Sequence, residues 1–456
     1  MRATRPLFIR LTLLMLLLVC SASMWIYWKR VPGALHAANI RTGLLNAKPL
    51  TDLYPRWYGT RELVLHHRDP YGVEVSRGIQ IAYYGRALNA LVPGDRLDQQ
   101  RFAYPLYVIF LMLPTVPMEF ETVRVVMWWF LAAVAGAGVW LWLRFLRLQL
   151  SVIAGVAVFV VALTSLPMMQ GLSLLQLGLV VAGLIAGAAA CVVNGRYFLA
   201  GTLLAMATIK PQMAILPIVW FFMWSVGAWK QRRRLVWGFG AMLTGLIVAS
   251  EFFLPGWLIR YPKALVAYSE YTNATAFLGT VLPSSWCWVV SMLAVLGVGA
   301  FCWKVRREPA DSVWFAIALA FVLALTVTVV PTVNASFNQV LLLPVFLLGI
   351  RHWRELGRGS RLSRLAVCAI WGCVFLPWVL AFAVVVAQPD LRNGRYLEMW
   401  TAPLYSSFAL PVAAVGLLIL LCRAVASNAT SRFEGAGLAA AGAVQGSDGV
   451  KQSARG

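Results

Sequence analysis

Apolar residues do not alternate with polar ones along this chain; they gather in long runs joined by short basic connections. About 17–25 such residues are needed for a helix to cross the hydrocarbon core of a bilayer. On that length the sequence predicts spans near 7–28, 121–143, 151–168, 172–193, 197–211, 213–229, 235–254, 284–303, 312–331, 336–350, 363–387 and 403–422. One further run, 102–118, contains Pro105, Pro114 and Pro117, and proline breaks a straight helix. It is read as a re-entrant or interfacial elbow on the outer face. The fold class expected is an all-α polytopic membrane protein of about twelve spans, with a long first external loop.

Basic clusters orient the spans, because Lys and Arg concentrate in cytoplasmic loops. Arg144 with Arg147, Lys230 with Arg232–Arg234, Lys304 with Arg306 and Arg307, and the arginines from Arg351 to Arg364 all fall on one side if helices alternate. Both termini then lie inside. Loop 29–101, the loop around 255–283 and a short loop at 388–402 lie outside. Arg2, Arg5 and Arg10 precede an apolar stretch that runs through Trp28, so the first segment is expected to stay as an uncleaved anchor. Residues 1–423 form the membrane-embedded domain, with loop 29–101 and elbow 102–118 inside it. Residues 424–456, rich in Ala, Gly and Ser, are expected to be a disordered cytoplasmic tail.

Composition agrees. The chain is 61% hydrophobic and 12% charged, where soluble domains carry roughly 25% charged residues. Its net charge of +22 is assigned to the cytoplasmic loops rather than to nucleic-acid binding. The seven cysteines form no CxxC pair, and the four histidines at 36, 66, 67 and 352 are scattered. No metal site or cofactor is expected from them.

Candidate chemistry lies on the external side. Asp52 sits early in the first long loop, with Arg56 and Arg61 about one and two helical turns on. A carboxylate there can serve as a general base if an attacking hydroxyl reaches it, or it can simply cap a turn. Asp69-Pro70-Tyr71 reads as a turn. Residues 197–229 would form a helix of about 50 Å, so the break at Lys210-Pro211-Gln212 splits it in two. A lysine there either faces a cavity or snorkels to the interface, and a departing phosphate would want such a cation. Asn334, Asn338 and Gln339 enter the short span 336–350 and can line a polar pocket or cap the helix. Gln170 and Gln176 are weaker candidates of the same kind. Glu251, Arg260, Lys263, Tyr268, Glu270 and Tyr271 suggest a loop for a lipid headgroup or acceptor, or merely a solvated loop.

An Asp early in the first external loop, then Asp69-Pro70-Tyr71, then the Tyr104-Pro105 elbow and the Gly195-Arg196…Ala200-Gly201 turn leading to Lys210-Pro211-Gln212, resembles glycosyltransferase family 87. The resemblance covers roughly residues 7–350. It implies a C-type (GT-C) membrane bundle that takes a hexose, mannose in the mycobacterial members, from a polyprenyl-phosphate donor. Transfer to a lipid or glycan acceptor would proceed with inversion on the external face of the plasma membrane, with Asp52 as base. The lipid-linked sugar is then substrate, and no cofactor is implied. Donor-phosphate or substrate binding by Lys210, Gln212, Arg56, Asn334, Asn338, Gln339, Asp69 and Tyr71 is the expectation from residue chemistry and placement. The alternatives are a twelve-span secondary transporter of a small polar solute and a membrane scaffold without catalysis.

Overall fold

The computed structural model describes residues 4–41, 50–88, 100–271, 275–331, 333, 335–387 and 397–427. Among these, all regular structure is helical. A long first helix, α1 (Thr4–Arg41), leads to two short ones, α2 (Tyr54–His66) and α3 (Val73–Tyr84). Residues 106–115 break into a 3-10 turn, the short α4 (Ile109–Met112) and a second 3-10 turn. Then follow α5 (Phe120–Phe145), α6 (Val152–Leu163), α7 (Leu166–Ser173), α8 (Gly178–Val193), α9 (Tyr197–Ala207), α10 (Pro211–Gly227) and α11 (Trp229–Phe253). The chain continues through α12 (Trp257–Tyr271), α13 (Phe277–Val281), α14 (Ser284–Val305), α15 (Val313–Val329), α16 (Leu343–Arg351), α17 (Trp353–Gly357), α18 (Arg361–Ala387) and α19 (Leu397–Ser406).

Six helical segments are long and apolar enough to cross a membrane: Leu14–Val31 of α1, α5, α11, α14, α18 and Met399–Ser427. The bent pair α6 and α7, meeting at 53°, makes up to seven. The protein is a helical membrane protein, but the count of twelve is not reached by this measure. Predicted spans 172–193, 197–211, 213–229, 312–331 and 336–350 fall on helices of 16, 11, 17, 17 and 9 residues. The physical reason is that an apolar run includes its own turns. Pro211 and Pro344 start new helices within such runs, and each proline occupies the first turn, where its missing N–H costs nothing. The tail 424–456 lies outside the described residues from 428 onward.

Close helix crossings hold the bundle together, and glycine permits them. A Cβ at Gly201 of α9 would lie 1.9 Å from the Leu235 carbonyl oxygen of α11. In return, a Cβ at Gly238 would lie 2.1 Å from the Phe198 carbonyl oxygen. Small residues allow such backbone contact in membranes, where packing replaces hydrophobic drive. Gly195, at φ +70°, makes the turn from α8 into α9. A second, smaller core joins α1 to α18 through Met24, Tyr27, Trp28 and Val31 against Trp378, Ala381 and Val384. Tyr27 donates to the Trp400 carbonyl at 2.7 Å.

At the α2 end, the loop between α1 and α5 folds onto the bundle. Trp57 of α2 donates its indole N–H to the Thr115 carbonyl at 3.1 Å. The Tyr107 hydroxyl bonds the Thr208 hydroxyl at 2.9 Å. These contacts fix the elbow over the break between α9 and α10.

Candidate active site

Asp52 lies in a turn that precedes α2. The Tyr54 amide bonds the Thr51 carbonyl at 2.8 Å, and Pro55 in the first turn starts the helix. The Arg56 guanidinium, one helical turn on, donates to the Asp52 backbone carbonyl. The Asp52 carboxylate accepts a hydrogen bond from the Gln176 amide nitrogen. Gln176 follows Leu175, a residue in left-handed conformation at φ +52°, in the connection between α7 and α8. Its amide oxygen faces the other way and accepts from Lys210 Nζ at 3.4 Å.

Lys210 occupies the break between α9 and α10 with only 5% of its surface exposed. It donates to the Asn338 side-chain oxygen at 2.9 Å and lies 4.9 Å from the centre of the Phe337 ring. Asn338 is fully buried in the 3-10 segment ahead of α16. The backbone at Gly178, the start of α8, comes so close that a Cβ would sit 3.4 Å from Lys210 Nζ and 3.3 Å from the Asn338 oxygen. Four distant stretches, near 52, 176, 210 and 338, thus meet in one polar cluster. Arg56 stacks on Tyr104 at 4.3 Å. Burial works against its charge, but Tyr104, Tyr268, Asp52 and Tyr83 around it outweigh that and hold the guanidinium above its ordinary pKa.

Other predicted residues lie elsewhere. Asp69 pairs with Arg260 at 2.8 Å and accepts the Tyr71 amide at 2.9 Å. The Tyr71 hydroxyl donates to the Tyr104 carbonyl at 2.8 Å. Burial, then the neighbouring Tyr261 and Asp69, push the Tyr71 phenol above its usual range. These two residues brace the loop against the elbow and α12 and are not in the Lys210 cluster. Gln212 stands half-buried in the first turn of α10. Gln339 is buried and borders an apolar cavity of about 220 Å³ walled by Leu343, Trp371 and Trp378. Asn334 lies outside the described residues.

A model of glycosyltransferase family 87 matches residues 102–331. The chain belongs to that family. It is therefore a glycosyltransferase, which sets the transporter alternative aside. No curated protein matches it. The matched stretch includes Gln176 and Lys210 and stops short of Asp52 and Asn338 at either side.

For a family 87 glycosyltransferase, this cluster offers a carboxylate and two cations within a few side chains of each other. Two helices, α8 and α10, begin beside Lys210, and helix N-termini carry partial positive charge. The site as a whole is suited to an anion next to a proton acceptor. Gln176 and Tyr104 carry much of it, yet both are hard to see in the sequence. Gln176 is one of two neutral amides in an apolar stretch, and Tyr104 shows only as part of a Tyr-Pro step. Among the described residues, no three His, Cys, Asp or Glu side chains come together.

Proposed function

We propose that this glycosyltransferase moves a hexose, mannose by the family resemblance, from a polyprenyl-phosphate donor to an acceptor hydroxyl, with inversion. The observation that carries the reading is the bridge of one side chain, Gln176, between the Asp52 carboxylate and Lys210. A base and a phosphate seat must lie about one sugar apart, and this arrangement supplies both. Asp52 takes the proton of the acceptor hydroxyl as its oxygen bonds to the anomeric carbon. The bond from that carbon to the phosphate oxygen breaks, and the lipid phosphate leaves with the electron pair. Lys210 and Arg56, together with the starts of α8 and α10, stabilise the charge that grows on it.

The donor's isoprenoid chain has a place to lie. The apolar cavity that Gln339 lines is formed by α6, α7, α16 and α18, and Gln339 directly follows Asn338. A chain seated there brings its phosphate towards Lys210. On this reading the cluster faces the external side of the plasma membrane.

Purified protein incubated with radiolabelled polyprenyl-phosphate hexoses and lipid acceptors tests it directly. Asp52→Asn keeps size and hydrogen bonding but removes the base, so transfer should fall by about 10²–10⁴-fold. Unchanged turnover in Asp52→Asn ends the assignment.

A further inference from the structure

We infer that Gln176 is a positioning residue of the transfer reaction: its amide holds the Asp52 carboxylate in place and keeps it from pairing with Lys210. The role rests on the transfer reading above and adds a residue that acts through the base rather than on the sugar. Gln176 is only 5% exposed, and both ends of its amide are engaged. The nitrogen donates to Asp52 Oδ2, and the oxygen accepts from Lys210 Nζ at 3.4 Å.

The two neighbours dictate the residue type. An ionised carboxylate only accepts hydrogen bonds, and an ammonium only donates them. A side chain that meets both must offer a donor on one side and an acceptor on the other. A carboxylate at 176 would repel Asp52, and a cation would repel Lys210. A hydrocarbon would leave both groups short of a partner, which is costly where water is excluded. A primary amide meets each demand without adding a charge, and its polarity is set by the same rule, nitrogen towards Asp52 and oxygen towards Lys210. Neutrality matters for the reaction. A direct ion pair between Asp52 and Lys210 would weaken the base and occupy the phosphate seat. The amide links the two and cancels neither.

The backbone supplies the second argument. Gln176 follows Leu175, whose φ of +52° is left-handed, a conformation that suits glycine or asparagine and is unfavourable for leucine. Such a residue persists only where its surroundings demand it, and functional sites are where such residues cluster. Here the Gln176 amide N–H bonds the Gly171 carbonyl at 2.8 Å, and the Gln176 carbonyl accepts the Leu179 N–H at 3.1 Å. Gly171 belongs to α7 and Leu179 to the first turn of α8, so the side chain leaves from a point fixed between two helices.

The test is steady-state transfer from radiolabelled polyprenyl-phosphate hexose by the full chain in nanodiscs, with kcat per folded molecule and donor KM measured separately. Gln176→Leu removes both hydrogen bonds at similar size. Its kcat should fall about 10–100-fold, the worth of one hydrogen bond to a charged group. Its donor KM should stay within about twofold of wild type, because Asn338 still holds Lys210. Gln176→Glu keeps the shape of glutamine but has no N–H for Asp52. Its carboxylate turns to the Lys210 ammonium and competes there with the donor phosphate, so kcat should fall as far and donor KM should rise. A side chain that merely filled space would give the reverse ranking, with the isosteric Glu closest to wild type. Melting curves show which variants are folded, and either folded variant decides the question. The inference is overturned if folded Gln176→Leu keeps kcat within about twofold, or if Gln176→Glu transfers as wild type does. A loss shared by both variants with no difference in donor KM marks a structural role and overturns it as well. Absence of transfer by the wild type sinks the transfer reading, and the positioning role with it. Transfer that falls in Asp52→Asn but in neither Gln176 variant sinks the positioning role alone.

Discussion

Two buried cations, Arg232 and Lys210, are treated in opposite ways by this protein. Arg232 of α11 donates to the backbone carbonyls of Trp224, Arg306 and Glu308 at 2.8, 2.9 and 3.0 Å, and lies 3.8 Å over the Trp224 ring. Trp224 is in the last turn of α10, and Arg306 closes α14. Helix C-termini carry unpaired carbonyls and partial negative charge, so the ends of α10 and α14 favour this cation even though Arg232 lies in the first turn of α11. Lys210 sits between helix ends of both signs, just past the end of α9 and beside the starts of α8 and α10, and no backbone carbonyl takes its ammonium among the described residues. Among the described residues its ammonium donates to side-chain amides, those of Gln176 and Asn338. A buried cation without carbonyl partners is costly, and an incoming anion would offset that cost. The contrast is the one expected if Arg232 holds the bundle and Lys210, as proposed, receives the donor phosphate.

The strongest test of the contrast is Lys210→Met, which keeps the stem and removes the charge. Loss of one electrostatic stabiliser of a developing anion typically costs about 10²–10³-fold in rate. Transfer should fall by that much and donor affinity should weaken, while the melting temperature holds or rises. A variant with unaltered affinity for the lipid donor would remove Lys210 from the site and erase the difference between the two cations.

Arg232→Met should behave in the reverse manner. The carbonyls of Trp224, Arg306, Arg307 and Glu308 lose the guanidinium as donor, and hydrogen bonds to a charged group are worth about 1.5–3 kcal/mol. The expected result is a clear drop in thermal stability with turnover per folded molecule unchanged, read from scanning fluorimetry beside the transfer assay. Equal stability would mean that water replaces the guanidinium at the helix ends. A smaller effect of the same structural kind comes from Gly201→Ala, whose new Cβ meets the Leu235 carbonyl. Overpacking of this sort costs about 1–3 kcal/mol, and the α9–α11 crossing should loosen without any change in donor affinity.

The sequence exposes the features that break its own pattern. Lys210-Pro211 interrupts an apolar run and Asp52 opens a polar loop, so both were visible as candidates. The helices themselves were equally visible, since each predicted span coincides with helical residues. The number of full-length spans was not, because hydrophobicity continues through breaks such as Thr208–Lys210 and the 3-10 segment before α16. Gln176 is a weaker candidate than the Asn338 segment in the sequence because a neutral amide in an apolar stretch has no signature until its two partners are seen. Asp69 and Tyr71 illustrate the other side: the Asp-Pro-Tyr step reads as a turn, and its contacts run to Arg260 and the Tyr104 carbonyl.

That brace is the subject of the smallest effect, and it completes the comparison with a third kind of charge. The Asp69–Arg260 pair is short, but its side chains are 30% and 46% exposed. Exposed pairs contribute about 0–1 kcal/mol, because water and salt screen them and two side chains lose freedom. Arg260→Ala should therefore leave stability nearly unchanged and alter transfer by no more than about twofold. The Asp69 carboxylate keeps its bond to the Tyr71 amide in this variant, and Tyr71 keeps its bond to Tyr104, so the elbow stays in place. A loss of transfer comparable to that of Lys210→Met would show that the pair touches substrate. Charge exposure would then no longer distinguish scaffold from site, and α12 would have to be counted as one of the walls.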